Sequence, residues 1–256
     1  MTEPQRWVPY CGEAPSPASW LGSWNLDPVL LAGLVLAALG LWRAAAGTAA
    51  ATSVSRRRAL WCAWWLTALL YVSPLCALSS AFFSVRVVHH MALVLVLAPL
   101  LVFGLKHRLH HVRTPLATGT VVAALVFWVW HAPAPYAAAL SSVPLYALMQ
   151  VSLLGSAVGF WLAVQRAAPA SALAAILATT VSMGLLGALI TFAARPLYPP
   201  HLASSLSWGV APLDDQQLAG VVMWAPGSFA YLFAALWIGW RWMRSEPNRR
   251  LHSGPA

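Results

Sequence analysis

Residues 87–104 read VVHHMALVLVLAPLLVFG, an apolar run that opens on two adjacent imidazoles, His89 and His90, followed by Met91. A helix rising ~1.5 Å per residue needs ~20 residues to cross ~30 Å of hydrocarbon, and the run from Val87 to Leu105 approaches that length. It reads as a transmembrane helix. Ionisable groups at the mouth of such a span are costly, so the imidazole pair asks for a reason. Pro99 has no amide hydrogen, which deprives the Leu95 carbonyl of its donor and predicts a bend in the inner half of the span.

The rest of the chain has the same character. Of its 256 residues 60% are hydrophobic and only 8% charged, against about 25% charged in soluble domains. The 15 tryptophans and 19 prolines fit a polytopic membrane protein, since Trp collects at membrane interfaces and Pro is tolerated in spans. The net charge of +9 does not indicate nucleic acid, because the cations stand in short segments between apolar runs. Cys11, Cys62 and Cys76 form no CxxC pair and imply no disulfide framework; Cys11 reads as an exposed external thiol.

The fold class expected is all-α, a polytopic bundle of seven transmembrane helices. Residues 1–27, rich in Pro and Trp and without a signal-peptide pattern, read as an external interfacial arm. The bundle occupies residues 28–242, with spans at about 28–46, 59–78, 87–105, 114–130, 143–164, 167–194 and 218–240, and residues 243–256 form a basic tail. On this arrangement twelve of the fifteen Lys and Arg residues fall on one side and only Arg6, Arg86 and Arg195 on the other. The positive-inside rule then puts the N-terminus outside and the C-terminus in the cytoplasm. The expected location is a bacterial inner membrane.

The unusual polar groups converge on the outer layer. His89 and His90 open the third span, His131 closes the fourth, and Asp214 to Gln217 lead into the seventh. Met91, Met149 and Met223 add thioethers, and imidazole with thioether is a donor set that suits copper, the sulfur favouring Cu(I). His90, Met91, His131 and Met223 are the candidate ligands, with His89 and Asp215 in support. In the seventh span Gln216, Gly220, Met223 and Gly227 share one face, and Pro226 is expected to open the helix. Each group also has a plainer role: an interfacial His bonds to its surroundings and a single Met fills core. The glycines of the fifth and sixth spans read as packing residues. His107, His110 and His111, among Lys106, Arg108 and Arg113, read as a solvated stretch facing lipid headgroups. No GxSxG elbow, HExxH, Walker A loop or dinucleotide fingerprint is present, so an enzyme is not expected.

Tyr10-Cys11-Gly12, Trp24-Asn25-Leu26-Asp27-Pro28, His90-Met91, Ala98-Pro99-Leu100-Leu101, Trp130-His131 with Tyr136, Trp161, and Asp215-Gln216-Gln217 with Gly220 and Met223-Trp224-Ala225-Pro226-Gly227 form a recognisable set. The chain resembles the multi-spanning CtaG family of cytochrome c oxidase assembly factors, distinct from the single-span copper chaperone that has shared the name. The resemblance implies a seven-helix protein that assists assembly of a haem-copper oxidase through contact with its nascent subunits, with copper as a cargo. Val94 and Gln150 stand where family members often carry further histidines. Two other classes are open to the same residues: a haem-binding redox protein using His90 and His131, or a transporter of copper or a small solute.

Overall fold

The computed structural model describes residues 7, 9–46 and 53–252; Arg6 of the orientation count, and residues 253–256 of the tail, lie outside the described residues. Among the described residues all regular structure is helical. Helix α1 is Pro28–Ala46, and Asp27 Oδ1 accepts from Leu30 N at 2.8 Å to cap it. Helices α2 (Val54–Val72) and α3 (Pro74–Ala81) meet at a bend of 52°. Then α4 (Phe83–Met91), a π-helical turn (Ala92–Leu97) and α5 (Ala98–Gly104) form one continuous apolar unit.

Helices α6 (Leu116–His131) and α7 (Pro133–Leu140) meet at 71°, followed by α8 (Val143–Arg166), α9 (Pro169–Thr191), the short α10 (Leu202–Leu206) and the long α11 (Pro212–His252). Both sharp bends have one cause. Ser73 and Ala132 each precede a proline, whose ring pushes the preceding residue out of the helical region, and their ψ values are 166° and 137°.

Four units, Phe83–Gly104, Val143–Arg166, Pro169–Thr191 and Pro212–Arg244, are long and apolar enough to cross a membrane, and the two bent pairs raise the number to six. The seven spans read from hydropathy are therefore met by four to six candidates. Prolines break two of the expected spans, and the apolar stretch of α1, Pro28–Arg43, is short. Helix α11 continues unbroken through Pro226, where an opening was expected, and on through the basic tail to His252.

Helices α9 and α11 touch backbone to backbone. A Cβ placed on Gly187 would lie 2.8 Å from the Gly220 carbonyl oxygen, so these two glycines are what permits the crossing.

The two ends of the bundle differ in character. At the arm end, Cys11 is disulfide-bonded to Cys76, with their Cα atoms 5.2 Å apart, which corrects the expectation of an exposed free thiol. The bend at Pro74 brings Cys76 to that end. The arm is held further by Trp208 Nε1 donating to the Pro15 carbonyl at 2.9 Å and by Asn25 N donating to the Val72 carbonyl at 3.0 Å. It packs on the helix ends rather than lying apart from them. At the opposite, basic end, the Arg166 guanidinium donates to the carbonyls of Leu109 and Val112, fastening the 106–113 segment to the end of α8.

Candidate functional site

The site begins with the irregularity in the third apolar unit. In an α-helix Ala98 N would donate to Val94; here it donates to the Leu93 carbonyl, five residues back. The next residue, Pro99, has no amide hydrogen, so the Val94 carbonyl is left without a backbone donor. Trp161 Nε1 from α8 supplies it at 2.8 Å. Pro99 is thus absorbed by a π turn and an indole. The segment that carries His90 and Met91 is tied to α8 at the same time.

On that segment His90 is fully buried and its Nδ1 lies 3.3 Å from Nε2 of His131, at the end of α6. The partners assign the tautomers. His131 Nδ1 is 2.7 Å from the Phe127 carbonyl and must donate to it, so His131 Nε2 is an acceptor and His90 Nδ1 carries the proton between them. His90 Nε2 is then an acceptor as well, facing the Gln150 amide nitrogen at 3.5 Å, while Gln150 Oε1 accepts from Tyr71 OH at 2.9 Å. Four side chains from four helices form one directed hydrogen-bond chain, from Tyr71 through Gln150 and His90 to His131.

His89, next to His90, points elsewhere. Its ring meets Tyr71 edge-on at a centroid distance of 4.9 Å, and neither ring nitrogen has a hydrogen-bond partner among the described residues. Met91 turns the other way. A side chain on Gly227 of α11 would collide with the terminal methyls of Met91 and of Met183 from α9. Met223, one turn earlier on the same face of α11, is fully buried. The expected site is accordingly divided: His89, His90 and His131 border α2, α6 and α8, whereas Met91, Met183 and Met223 border α9 and α11.

Asp215 has a task other than orienting an imidazole. Its carboxylate accepts from Phe83 N at 2.7 Å, from Ser84 N at 3.2 Å and from the Ser84 hydroxyl. These are unpaired amides of the first turn of α4, so the start of α11 caps the start of the helix that carries the histidines.

Arg86, counted as an external cation on sequence, is fully buried one turn before His90. Its Nε donates to the Ser79 carbonyl at 3.1 Å and one terminal nitrogen donates to Tyr146 OH at 2.8 Å. Tyr146 OH is also 3.4 Å from Cys11 Sγ, which links the guanidinium to the disulfide. Nearby, Tyr136 OH lies 2.6 Å from His201 Nε2, in the segment before α10. Burial first, then the charge of Arg86, pushes the His201 imidazole down to about 3, so it is a neutral acceptor for the Tyr136 hydroxyl.

The family described as cytochrome c oxidase caa3 assembly factor (Caa3_CtaG) matches residues 105–245, more than half of the 256-residue chain. The chain belongs to this family. The match takes in His131, Gln150, Trp161, Asp215 and Met223, while His89, His90 and Met91 precede it. No curated protein and no solved structure matches the chain.

As metal donors for a member of this family, the buried groups supply two nitrogens. With metal–nitrogen bonds of roughly 2.0–2.1 Å, a 3.3 Å separation is that of two nitrogens on one near-tetrahedral ion, but binding would require the His90 proton to move from Nδ1 to Nε2 and both rings to turn their lone pairs from each other toward the ion. Among the described residues no three His, Cys, Asp or Glu side chains gather as a metal site. The next polar side chain at the pair is Gln150, 3.5 Å from His90 Nε2, while the thioethers stand on the other side of the divide. Because the two rings are in contact, no macrocycle fits between them, which disfavours this pair as axial ligands of a haem.

Sequence reasoning named Gln150 only as a departure from the family and missed Tyr71, Arg86 and Met183 as neighbours of the site. Spacing holds part of the signal: Gln150 is eleven residues before Trp161 and Arg86 four before His90, so each pair shares a helix face.

Proposed function

We propose that this family member assists caa3-type cytochrome c oxidase assembly from within the bacterial inner membrane, contacting nascent oxidase subunits and passing Cu(I) through the His90–His131 pair. Copper is cargo here, and the protein acts as a carrier and scaffold without catalysing a reaction. The observation that carries this reading is the buried contact between two imidazoles, joined through Gln150 to Tyr71 in a chain drawn from four helices. Neutral imidazole is the form that binds a metal, and a site of low coordination number releases its ion more readily than a closed four-ligand cage.

Seven apolar units, two of them broken at proline, with the N-terminus in the periplasm, are part of the same proposal. Its supports are the twelve basic residues that fall together on one side and the contacts among them, such as Arg166 on the 106–113 segment. The disulfide at the opposite end agrees with an oxidising periplasm there.

The test is deletion of the gene, followed by purification of the oxidase and measurement of its copper, haem and turnover. Expected is oxidase protein that retains haem but is depleted in copper and activity. An oxidase with normal copper and activity would refute the proposal, and loss of haem with copper retained would refute its copper part.

A further inference from the structure

A cavity of about 460 Å³ opens at the basic end, where α1 leans on α2 but stands away from α5. Its walls are apolar, formed chiefly by Leu34, Leu41, Leu60 and Leu101, and its mouth carries Arg57, His107 and Arg108. The size lies within the range of about 300–1,000 Å³ typical of ligand pockets. We propose that it holds one anionic phospholipid, with an acyl chain between α1 and α5 and the phosphate among Arg57, His107 and Arg108.

Charge argues for this occupant. From residue 28 to residue 213 the chain has no Asp or Glu, so Arg57 and Arg108 have no carboxylate nearby in sequence, and among the described residues neither is in an ion pair. Both are exposed at the mouth, where their guanidinium groups are open to an external anion. Phosphate offers oxygens that match the guanidinium fork, and basic pockets between membrane helices are where anionic headgroups bind. The apolar depth argues against a free phosphate, because that ion would leave the leucine walls without a partner. Trp64, which also lines the cavity, donates from Nε1 to the Leu34 carbonyl at 2.8 Å and props α1 at a fixed distance.

Gly40 supplies a clean probe. It lines the cavity, and a Cβ built on it meets no atom within 4 Å, so a larger side chain enters open space rather than protein. The full-length protein in nanodiscs would be titrated with phosphatidylglycerol and, separately, with phosphatidylcholine, and bound lipid counted by native mass spectrometry. Expected is one phosphatidylglycerol retained in preference to phosphatidylcholine. Arg57→Gln with Arg108→Gln should weaken it about thirty-fold, as roughly a fivefold factor accompanies each cation near an anionic headgroup. Gly40→Phe should displace the lipid while both arginines remain.

Three results would overturn the proposal. Equal retention of the two lipids would remove the role of the cations, and binding unaffected by Gly40→Phe would mean adsorption at the surface instead of entry. Competition by millimolar inorganic phosphate would assign the cations to a free anion. Both sets of substitutions change exposed positions, and size-exclusion profiles matching the parent protein keep the comparison valid.

Discussion

Trp161 Nε1 donates to the Val94 carbonyl at 2.8 Å, taking the place of the backbone donor that the π turn and Pro99 remove. Inside a bilayer no water can replace that bond. Trp161→Phe keeps most of the ring and leaves a buried carbonyl unpaired, so the bundle should lose about 1–3 kcal/mol of stability. The shift in the midpoint of detergent-induced unfolding measures it. An unchanged midpoint would mean that the carbonyl finds another partner.

Asp215 joins the starts of α11 and α4 through Phe83 N, Ser84 N and the Ser84 hydroxyl. Asp215→Ala removes all three bonds at once and should destabilise by roughly 2–3 kcal/mol, because charge-assisted bonds at a helix start are among the stronger ones. Asp215→Asn keeps one acceptor and should lose less. Hydrogen exchange at the amides of 83–86 reads the effect locally, and equal protection in all three proteins would refute the capping role.

Gln150 faces His90 from α8 at 3.5 Å. Gln150→His would place a third imidazole beside His90 and His131 while giving up the bond from Tyr71 OH. The purified variant should bind Cu(I) at least tenfold more tightly than the parent in competition with a chromogenic chelator, since three nitrogen donors replace two. Equal affinities would show that position 150 lies beyond reach of the ion.

Much of this arrangement is legible in the sequence, and the parts that are not have physical reasons. Hydropathy finds apolar runs but not their breaks: Ser73 and Ala132 leave the helical region because a proline follows, while Pro226 leaves α11 continuous. The reading that His90 and His131 share one layer follows from the order of the apolar runs, and the two rings lie 3.3 Å apart. Asp215 was expected beside an imidazole because both stand at the same end. What decides its partner is the row of bare amides at the start of α4, which no sequence pattern announces. Cys11 and Cys76 are 65 residues apart, and only the turn at Pro74 makes them neighbours. Arg86 looked like a loop cation since charge counting says nothing of depth, yet it is fully buried among Ser79 and Tyr146.

The most direct test of copper handling is the copper content of oxidase purified from cells carrying His90→Ala or His131→Ala in place of the parent gene, with the variant protein present at its normal level. Either substitution leaves one nitrogen of the pair, too few to hold Cu(I). Oxidase copper should fall close to the level found in the deletion strain, with haem retained. Oxidase with its full complement of copper in both strains would contradict the account and leave the imidazole pair as a structural link between α4 and α6.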